Sequence, residues 1–483
     1  MQQDSGSTAT STLAPVAARE RIAALDIIRG LALLGIALMN VEWFTRPISE
    51  LGRGIDPSLS GIDYTVSWLV EAFIQGKFWT LFSLLFGMGF AVMLGRAEAR
   101  QSPFVLPYVR RIVGLLLFGV LHYILIWTGD ILHNYAITAL ALLLIVTRSW
   151  KAWLAIVVSI AAVGIAFKLE AMPMLLMFGA LVGVLMFFLR RGNISRYWKW
   201  GVAVYSFVFV LGLIGAGAMA TFPQLKPAEK PEQIAKREER KQERVKERAE
   251  EIRIYTQGTY VESVKHRAHQ FADDMPQAAG LSFLALPMFL IGFWFVRSGI
   301  VARLREHGRL FAKLFAYAFP IGLAMTLTSM WLMPAPGADG AGGPNPANIA
   351  AGSLFQLGAL GLCLGYFAAF VLVLNTRIGA RGLSPLAYAG RMALTNYIGA
   401  SIIGTWFFSG YGLGFWGQVS RPGQMLFVLV VFVLQLAFSA VWLRYFRYGP
   451  LEWAWRAVTY WQLPPMRRRG SEGDAAFVAA MER

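Results

Sequence analysis

The chain has little charge and almost no cysteine. Charged residues make up only 15% of its 483 positions, against 56% hydrophobic residues, and its mean hydropathy is +0.51. This composition excludes a water-soluble globular protein. The single cysteine, Cys363, excludes an intrachain disulfide and a cysteine-rich metal site.

The N-terminus lacks the features of a cleaved signal peptide. Residues 1–18 are small and polar, and the first apolar run, 27–44, is not followed by a small-residue cleavage site. We therefore expect this run to remain as the first transmembrane helix. The residues before it, 1–26, are predicted to form a disordered cytoplasmic tail.

The apolar runs predict an all-α, polytopic transmembrane helix bundle. A hydrocarbon core of ~30 Å needs ~20 helical residues per crossing, so these runs are long enough to span as helices rather than as barrel strands. We expect about twelve spans, near residues 27–44, 78–95, 110–128, 131–147, 151–168, 171–189, 200–221, 279–302, 310–333, 349–375, 388–408 and 424–446.

Basic residues alternate between the connections. They are concentrated before the first run and in every second connection after it, a pattern that predicts both termini in the cytoplasm. The net charge of +17 follows from these short segments, so we expect a lipid bilayer as partner and no nucleic acid. The localisation predicted is a membrane that the chain crosses several times.

One connection is long and highly charged. Residues 226–253 hold ten basic and eight acidic side chains, with opposite charges three residues apart, as at Arg248 and Glu251. The domain organisation predicted is a tail (1–26), seven spans (27–221), a charged extracytoplasmic helical loop (222–278), five spans (279–446) and a cytoplasmic interfacial helix with a tail (447–483). The loop is interpreted either as a lid or partner-binding arm or as a stiff exposed excursion, and the interfacial helix is expected to pair Glu452 with Arg456.

The candidate chemical site is the helical hairpin that contains His122, Asp130 and His133. An imidazole titrates near neutrality and a carboxylate can fix its tautomer, as a general base requires. The same groups could relay protons in a transporter, or simply join helices while Asp130 caps one of them. The spacings of eight and three residues match no recognised zinc motif, so no metal is expected.

Two further groups lie on the first span. Asn40, next to Glu42 at the outer end, supplies an amide that could stabilise an oxyanion. Arg29 at the inner end can pair with Asp26 or bind an acidic cytoplasmic ligand. Arg110 and Arg111 lie before the third span, on the same predicted side of the membrane.

Four stretches carry a family resemblance: LDIIRGLALLGIALMN, GKFWTLFSLLFGMGFAVML, GVLHYILIWTGDILHNYAI and GRMALTNY through GPLEWAWRAVTY. They resemble the YeiB-like bacterial membrane proteins, the family of domain of unknown function 418 (DUF418). The opening LDIIRG and the asparagine that ends the first helix look like those of the transmembrane acyltransferase superfamily. That superfamily includes heparan glucosaminide acetyltransferases and O-acyltransferases of surface polysaccharides.

The resemblance implies a location in the bacterial cytoplasmic (inner) membrane and an acyl group carried from cytoplasmic acyl-coenzyme A to an acceptor across that membrane. Arg29, Arg110 and Arg111 are then the candidates for binding the phosphates of this cofactor. Asn40 then matches the polar residue that ends the first helix. The glucosaminide enzymes also have a catalytic histidine just after that helix, whereas residues 45–77 contain no histidine. We therefore expect His122 or His133 to replace it, with Asp130 orienting the base.

The function predicted is thus a membrane-bound O- or N-acyltransferase with acyl-coenzyme A as the donor. The acceptor is a hydroxyl or amine of a small molecule or glycan, and the sequence indicates no oligomeric state. Two alternatives stay open: a transporter that uses the histidines and Asp130 as a proton relay, and a non-catalytic sensor or partner protein.

Overall fold

The computed structural model describes residues 22–51, 54–167, 172–190, 192–222, 231–333 and 345–468. Over these ranges the chain is helical, and an isolated bridge between Phe446 and Arg467 is its only strand-like pairing there. The helices are α1 (Ala23–Asn40), α2 (Gly61–Phe73), α3 (Lys77–Ala99), α4 (Val105–Leu125), α5 (Leu132–Thr147), α6 (Trp150–Ala166), α7 (Met172–Leu189), α8 (Ser195–Thr221), α9 (Pro231–Gln257), α10 (Tyr260–Asp273), α11 (Met275–Arg297), α12 (Gly308–Leu332), α13 (Pro346–Leu374), α14 (Arg377–Leu383), α15 (Leu386–Arg391), α16 (Ala393–Phe408), α17 (Arg421–Tyr445) and α18 (Pro450–Tyr460).

With one exception, at 388–408, the apolar runs form the helices that the sequence predicts, because a backbone in lipid must satisfy its own hydrogen bonds. In the described part of the chain, nine segments are long and apolar enough to cross a membrane, and α5 and α6 are shorter apolar helices. The all-α fold is confirmed, and the chain is a multi-pass membrane protein. The count of twelve spans and the cytoplasmic placement of both termini remain predictions.

Two of the predicted segments, the N-terminal tail and the C-terminal tail, lie wholly or mostly outside the described residues. The predicted N-terminal tail lies mostly in 1–21, outside them, and α1 already begins at Ala23. The interfacial helix predicted after the last span is α18, whereas residues 469–483 lie outside the described part.

The run predicted at 388–408 is two helices rather than one. Helix α15 ends at Arg391, and α16 starts after Met392, whose backbone has φ −112° and ψ 36°. The carboxylate of Glu452 on α18 accepts hydrogen bonds from Leu394 N (2.6 Å) and Thr395 N (3.0 Å). It satisfies backbone donors that open the new helix, so the predicted pairing of Glu452 with Arg456 is wrong.

The bundle has two chemically different ends. At one end, which we call the basic end, α1 begins, α3 ends, and α15 and α18 lie. At the other, which we call the α9–α10 end, α1 and α4 end and α17 begins. A helix of 18 residues such as α1 separates these ends by ~27 Å.

The charged connection forms α9 and α10, and α11 follows at Met275. The turns at 241–250 are exposed, but Glu251 is buried and accepts hydrogen bonds from Ile48 N (2.9 Å) and Ser49 Oγ (3.0 Å). Arg248 forms an ion pair with Glu50. The predicted Arg248–Glu251 pair is therefore wrong, because both side chains bind the segment that follows α1.

Candidate functional site

The structure brings His122, Asp130 and His133 together. His122 Nδ1 lies 2.9 Å from Asp130 Oδ1, and His133 Nδ1 lies 2.7 Å from Asp130 Oδ2. All three side chains are buried. One carboxylate thus accepts from both rings and fixes both tautomers with the proton on Nδ1.

The hairpin between α4 and α5 holds this cluster in place. Asp130 Oδ2 also accepts a hydrogen bond from the backbone N–H of His133 at 3.0 Å, at the start of α5. A Cβ at Gly119 on α4 would lie 2.3 Å from His133 N. Only glycine allows α4 to pack so closely against the turn.

One ring nitrogen of His122 makes no hydrogen bond to a described residue. This atom, Nε2, is buried. The ring lies 5.1 Å from the ring of Tyr397 and 6.5 Å from that of Trp127. A neutral imidazole in this state has an available lone pair on Nε2, as a general base needs.

A cavity of about 240 Å³ starts at the basic end and ends near this cluster, although His122, Asp130 and His133 do not themselves line it. Five arginines line it: Arg29, Arg96, Arg111, Arg391 and Arg456. Its deeper wall is apolar and aromatic, and it includes Phe82, Phe86, Leu115, Ile131, Leu132 and Tyr397. The residues flanking Asp130 and the ring beside His122 therefore close its inner end.

Of the three candidate phosphate-binding arginines, two line this cavity and one does not. Arg29 lines the cavity and forms the predicted ion pair with Asp26 at 2.6 Å. Arg111 lines it too, with its guanidinium 3.7 Å from the ring centroid of Trp455. Arg110 lies outside the lining, over the ring of Trp461, because adjacent helical residues point in different directions.

Asn40 lies in a second, smaller cavity of about 30 Å³, large enough for a water molecule or two. Polar side chains of Asn396, Ser401 and Gln435 also line it. Tyr397 borders both cavities. The structure thus connects Asn40 to the histidine cluster through one shared side chain, not through direct contact.

Glu42 does not face either cavity and belongs to an ion network at the α9–α10 end. It pairs with Arg46 at 2.9 Å and with Arg421 of α17 at 2.8 Å. Arg46 also pairs with Glu50 at 2.6 Å. Each buried charge in this network has an opposite partner, which indicates a structural role.

Sequence reasoning missed Tyr397 and the arrangement around it. The motif GRMALTNY supplies Arg391 and Tyr397 to the cavity, and GPLEWAWR supplies Glu452, Trp455 and Arg456. These motifs were visible, but their meeting at one cavity depends on packing between distant helices. The described residues contain no group of three or more His, Cys, Asp or Glu arranged to hold a metal ion.

Acyl-coenzyme A is compatible with the chemistry of this lining. Arginines suit phosphate oxygens because the planar guanidinium can donate two parallel hydrogen bonds. The apolar wall beyond them suits a thioester arm that must leave water.

Comparison with known proteins supports the family resemblance. Residues 295–462 match the family model described as "Protein of unknown function (DUF418)". The chain is 29% identical to the uncharacterized protein YxaH of Bacillus subtilis, over 95% of this chain and 99% of the relative. It is 27% identical to the uncharacterized protein YeiB of Escherichia coli, over 91% of this chain and 96% of the relative.

A third relative is the uncharacterized 39.9 kDa protein in the amylase 3′ region of Bacillus acidopullulyticus, which is 25% identical over 92% of this chain. No solved structure matches the chain. The matches confirm the resemblance to the YeiB-like proteins over nearly the full length. They assign no reaction.

Proposed function

We propose that this homologue of the DUF418 proteins is a transmembrane acyltransferase of the bacterial cytoplasmic membrane. It takes an acyl group from cytoplasmic acyl-coenzyme A and transfers it to a hydroxyl or amine on the other side. The observation that carries the proposal is the cavity that joins five arginines at the basic end to Tyr397, whose ring lies 5.1 Å from that of His122.

Donor binding uses the charge of the basic end. The predicted topology places this end in the cytoplasm, where acyl-coenzyme A is found. Arg29 and its neighbours in the lining bind the phosphates, and the apolar wall receives the arm that carries the thioester. Removing water from this wall strengthens the electrostatic interactions of the reacting groups.

The histidine cluster supplies the base. With Nδ1–H donated to Asp130, His122 Nε2 takes the proton from the acceptor hydroxyl or amine as it attacks the thioester carbonyl. The tetrahedral intermediate expels the coenzyme A thiolate, which takes that proton from the imidazolium. Asp130 orients the ring and stabilises its positive charge, as a carboxylate does beside other basic histidines.

Asn40 serves the acceptor side of the reaction. Tyr397 separates the cavity of Asn40 from the cavity at the basic end, which we call the donor cavity. A movement of the Tyr397 side chain would connect these two cavities. The amide then donates a hydrogen bond to the acceptor or to the oxyanion.

Thioester turnover tests this function. Purified protein in nanodiscs is incubated with radiolabelled acetyl-coenzyme A, with and without cell-envelope extract. We expect label in an envelope acceptor with the natural protein, a loss of at least about 100-fold with His122→Gln, and a raised donor KM with Arg29→Gln. Arg309→Gln, an exposed arginine at the start of α12 that does not line the cavity, is the matched control.

Two results would overturn the proposal. The first is a rate of thioester loss no higher than in protein-free nanodiscs under every condition. The second is equal transfer by the natural protein and His122→Gln.

A transporter is the second candidate, and the interruption at Met392 favours it. Helix α16 starts beside the donor cavity after a broken segment, and discontinuous helices are typical of transporter binding sites. Proton uptake into proteoliposomes that depends on His122, without any thioester turnover, would support transport over acyl transfer.

A further inference from the structure

Arg267 on α10 is a fully buried arginine that forms no ion pair with an Asp or Glu side chain among the described residues. Its exposed fraction is 0%. Nε donates to the carbonyl of Ile124 at 2.8 Å and Nη2 to that of Leu125 at 3.1 Å. These carbonyls belong to the last turn of α4, so the guanidinium caps the negative end of that helix.

The third nitrogen of this guanidinium, Nη1, does not take part in the α4 cap. Nη1 is buried and makes no hydrogen bond to any residue that the structure describes. No Asp or Glu oxygen in the same part of the chain lies within 4.0 Å of it. A buried guanidinium that keeps a free donor and lacks a counter-ion is costly, and an oxyanion would satisfy both needs.

Three more buried polar atoms nearby make no close hydrogen bond to a described residue: Tyr255 OH, His266 Nε2 and Gln270 Oε1. The rings of Tyr255 and His266 are 6.3 Å apart, and His266 and Gln270 lie one turn apart on α10. The Arg267 guanidinium lies near both side chains, and a small movement would bring it into a hydrogen bond with the Tyr255 oxygen. We call Tyr255, His266, Arg267 and Gln270 the α10 cluster.

The cluster offers mainly donors. A guanidinium N–H, a phenol O–H and an imidazole nitrogen can all donate, whereas Gln270 Oε1 accepts, for example from a hydroxyl on the same ligand. Nearby carboxylates have partners of their own, since Glu250 and Glu262 pair with Arg253, and Asp274 accepts from Tyr123. His266 and Gln270 are only half-buried, so a ligand would reach the cluster from solvent past these two side chains.

The cluster lies directly over the histidine site. Phe271, one turn along α10 from Arg267, packs against the rings of His133 (5.8 Å) and Tyr123 (5.1 Å). The carbonyls that Arg267 binds are two and three residues beyond His122. A ligand held at the α10 cluster would therefore lie beside the histidine site, at the α9–α10 end and away from the cavity at the basic end.

We propose that the α10 cluster binds a carboxylate or phosphate group of the extracytoplasmic acceptor. This inference rests on the proposed function and narrows the acceptor to an anionic molecule that also carries a hydroxyl or amine. The anionic group can come from a lipid headgroup or from a soluble compound, and the two sources are separated below.

Anion binding is measured without any acyl donor. Full-length protein in phosphatidylcholine nanodiscs is titrated with inorganic phosphate and with acetate, and the thermal unfolding midpoint is followed. A second arm uses nanodiscs that contain phosphatidic acid. We expect a saturable rise in the midpoint, from the soluble anions if the source is soluble and from phosphatidic acid alone if it is a lipid.

The variants separate this site from general charge effects. The double variant His266→Ala/Gln270→Ala leaves the cap on α4 intact, and we expect it to weaken anion binding at least tenfold. Arg267→Gln should abolish binding. Arg253→Gln on α9, an exposed arginine of the same segment, should bind like the natural protein.

The inference is overturned if no probe gives a saturable response, or if Arg253→Gln weakens binding as much as the double variant does. Because Arg267→Gln also removes the α4 cap, the double variant carries the test if Arg267→Gln does not fold. Saturable binding without thioester turnover would uphold the site and overturn the acyltransferase, whereas turnover without anion binding would do the reverse.

Discussion

The ring of Tyr397 lies 5.1 Å from the ring of His122 and also borders both cavities of the bundle. One side chain on α16 thus separates the arginine-lined cavity from the cavity of Asn40, beside the base that we propose. Its hydroxyl is 3.5 Å from the carbonyl of Gly129, at the turn that carries Asp130.

The first prediction concerns Tyr397 as the barrier between the two cavities. Tyr397→Phe keeps the ring, so we expect transfer within about threefold of the natural rate. Tyr397→Ala joins the cavities and admits water, so we expect label to appear as free acid instead of acylated acceptor. The measurement is the ratio of hydrolysis to transfer, and an unchanged ratio in Tyr397→Ala would show that the ring is no barrier.

The second prediction concerns Asp130, which accepts from both histidine rings and from a backbone N–H. Asp130→Asn cannot accept from both rings, so His122 loses its fixed tautomer. We expect a fall in turnover of about 100-fold or more and a loss of about 1–3 kcal/mol in the free energy of unfolding. Turnover and thermal unfolding measure these effects, and full activity in this variant would contradict a base held by Asp130.

The third prediction tests the close approach of α4 to the hairpin turn. In Gly119→Ala the new Cβ would lie 2.3 Å from His133 N and 2.9 Å from Asp130 Oδ2, so the turn must shift. We expect destabilisation of about 1–3 kcal/mol together with reduced turnover. Gly215→Ala, where a Cβ meets nothing within 4 Å, is the control and should not be destabilised; equal behaviour of the two variants would refute the packing argument.

The fourth prediction is a pH dependence of the contact between α9 and the segment after α1. Burial of Glu50 opposes ionisation, but hydrogen bonds from Arg248 and Arg46 outweigh it and hold the pKa of this carboxyl below its ordinary 4.5. A lowered pKa stabilises the contact above pH 4.5, and this contribution disappears as the pH falls through the folded value. Because Arg248 is half exposed, the effect is about 1 kcal/mol or less.

Hydrogen exchange at residues 248–257 measures this contact. We expect protection to fall on acidification below pH 4.5 in the natural protein and to be lower and less dependent on pH in Glu50→Gln. Burial raises the pKa of the Glu251 carboxyl, so its contribution to the stability of the contact decreases as the pH rises, opposite to that of Glu50. Identical pH profiles for the natural protein and Glu50→Gln would rule out Glu50 as the group responsible.

The fifth prediction separates two adjacent arginines. Arg111 lines the cavity at the basic end, whereas Arg110 lies over Trp461 outside it. Arg111→Gln should raise the KM for acyl-coenzyme A at least tenfold, and Arg110→Gln should change it by less than twofold. A steady-state titration of the donor measures both, and the reverse order would place the donor elsewhere.

The amino-acid sequence by itself determined the helical membrane fold. The long apolar runs leave the backbone no partner except its own carbonyls, so their helical state does not depend on neighbours. Two local parts of the site also followed from spacing: the Asp26–Arg29 pair on one helix face, and the proximity of Asp130 to His133 at the start of α5.

Tertiary structure alone decided the partners of side chains that reach other helices. Glu452 was expected to bind Arg456 but binds the start of α16, and Arg248 binds Glu50 instead of Glu251. The roles of Tyr397 and Arg267 likewise depend on contacts between α16 and α4 and between α10 and α4. Residue spacing sets which groups share a helix face, but only the packing of helices distant in sequence sets which faces meet, and therefore where buried charges find or lack a counter-ion.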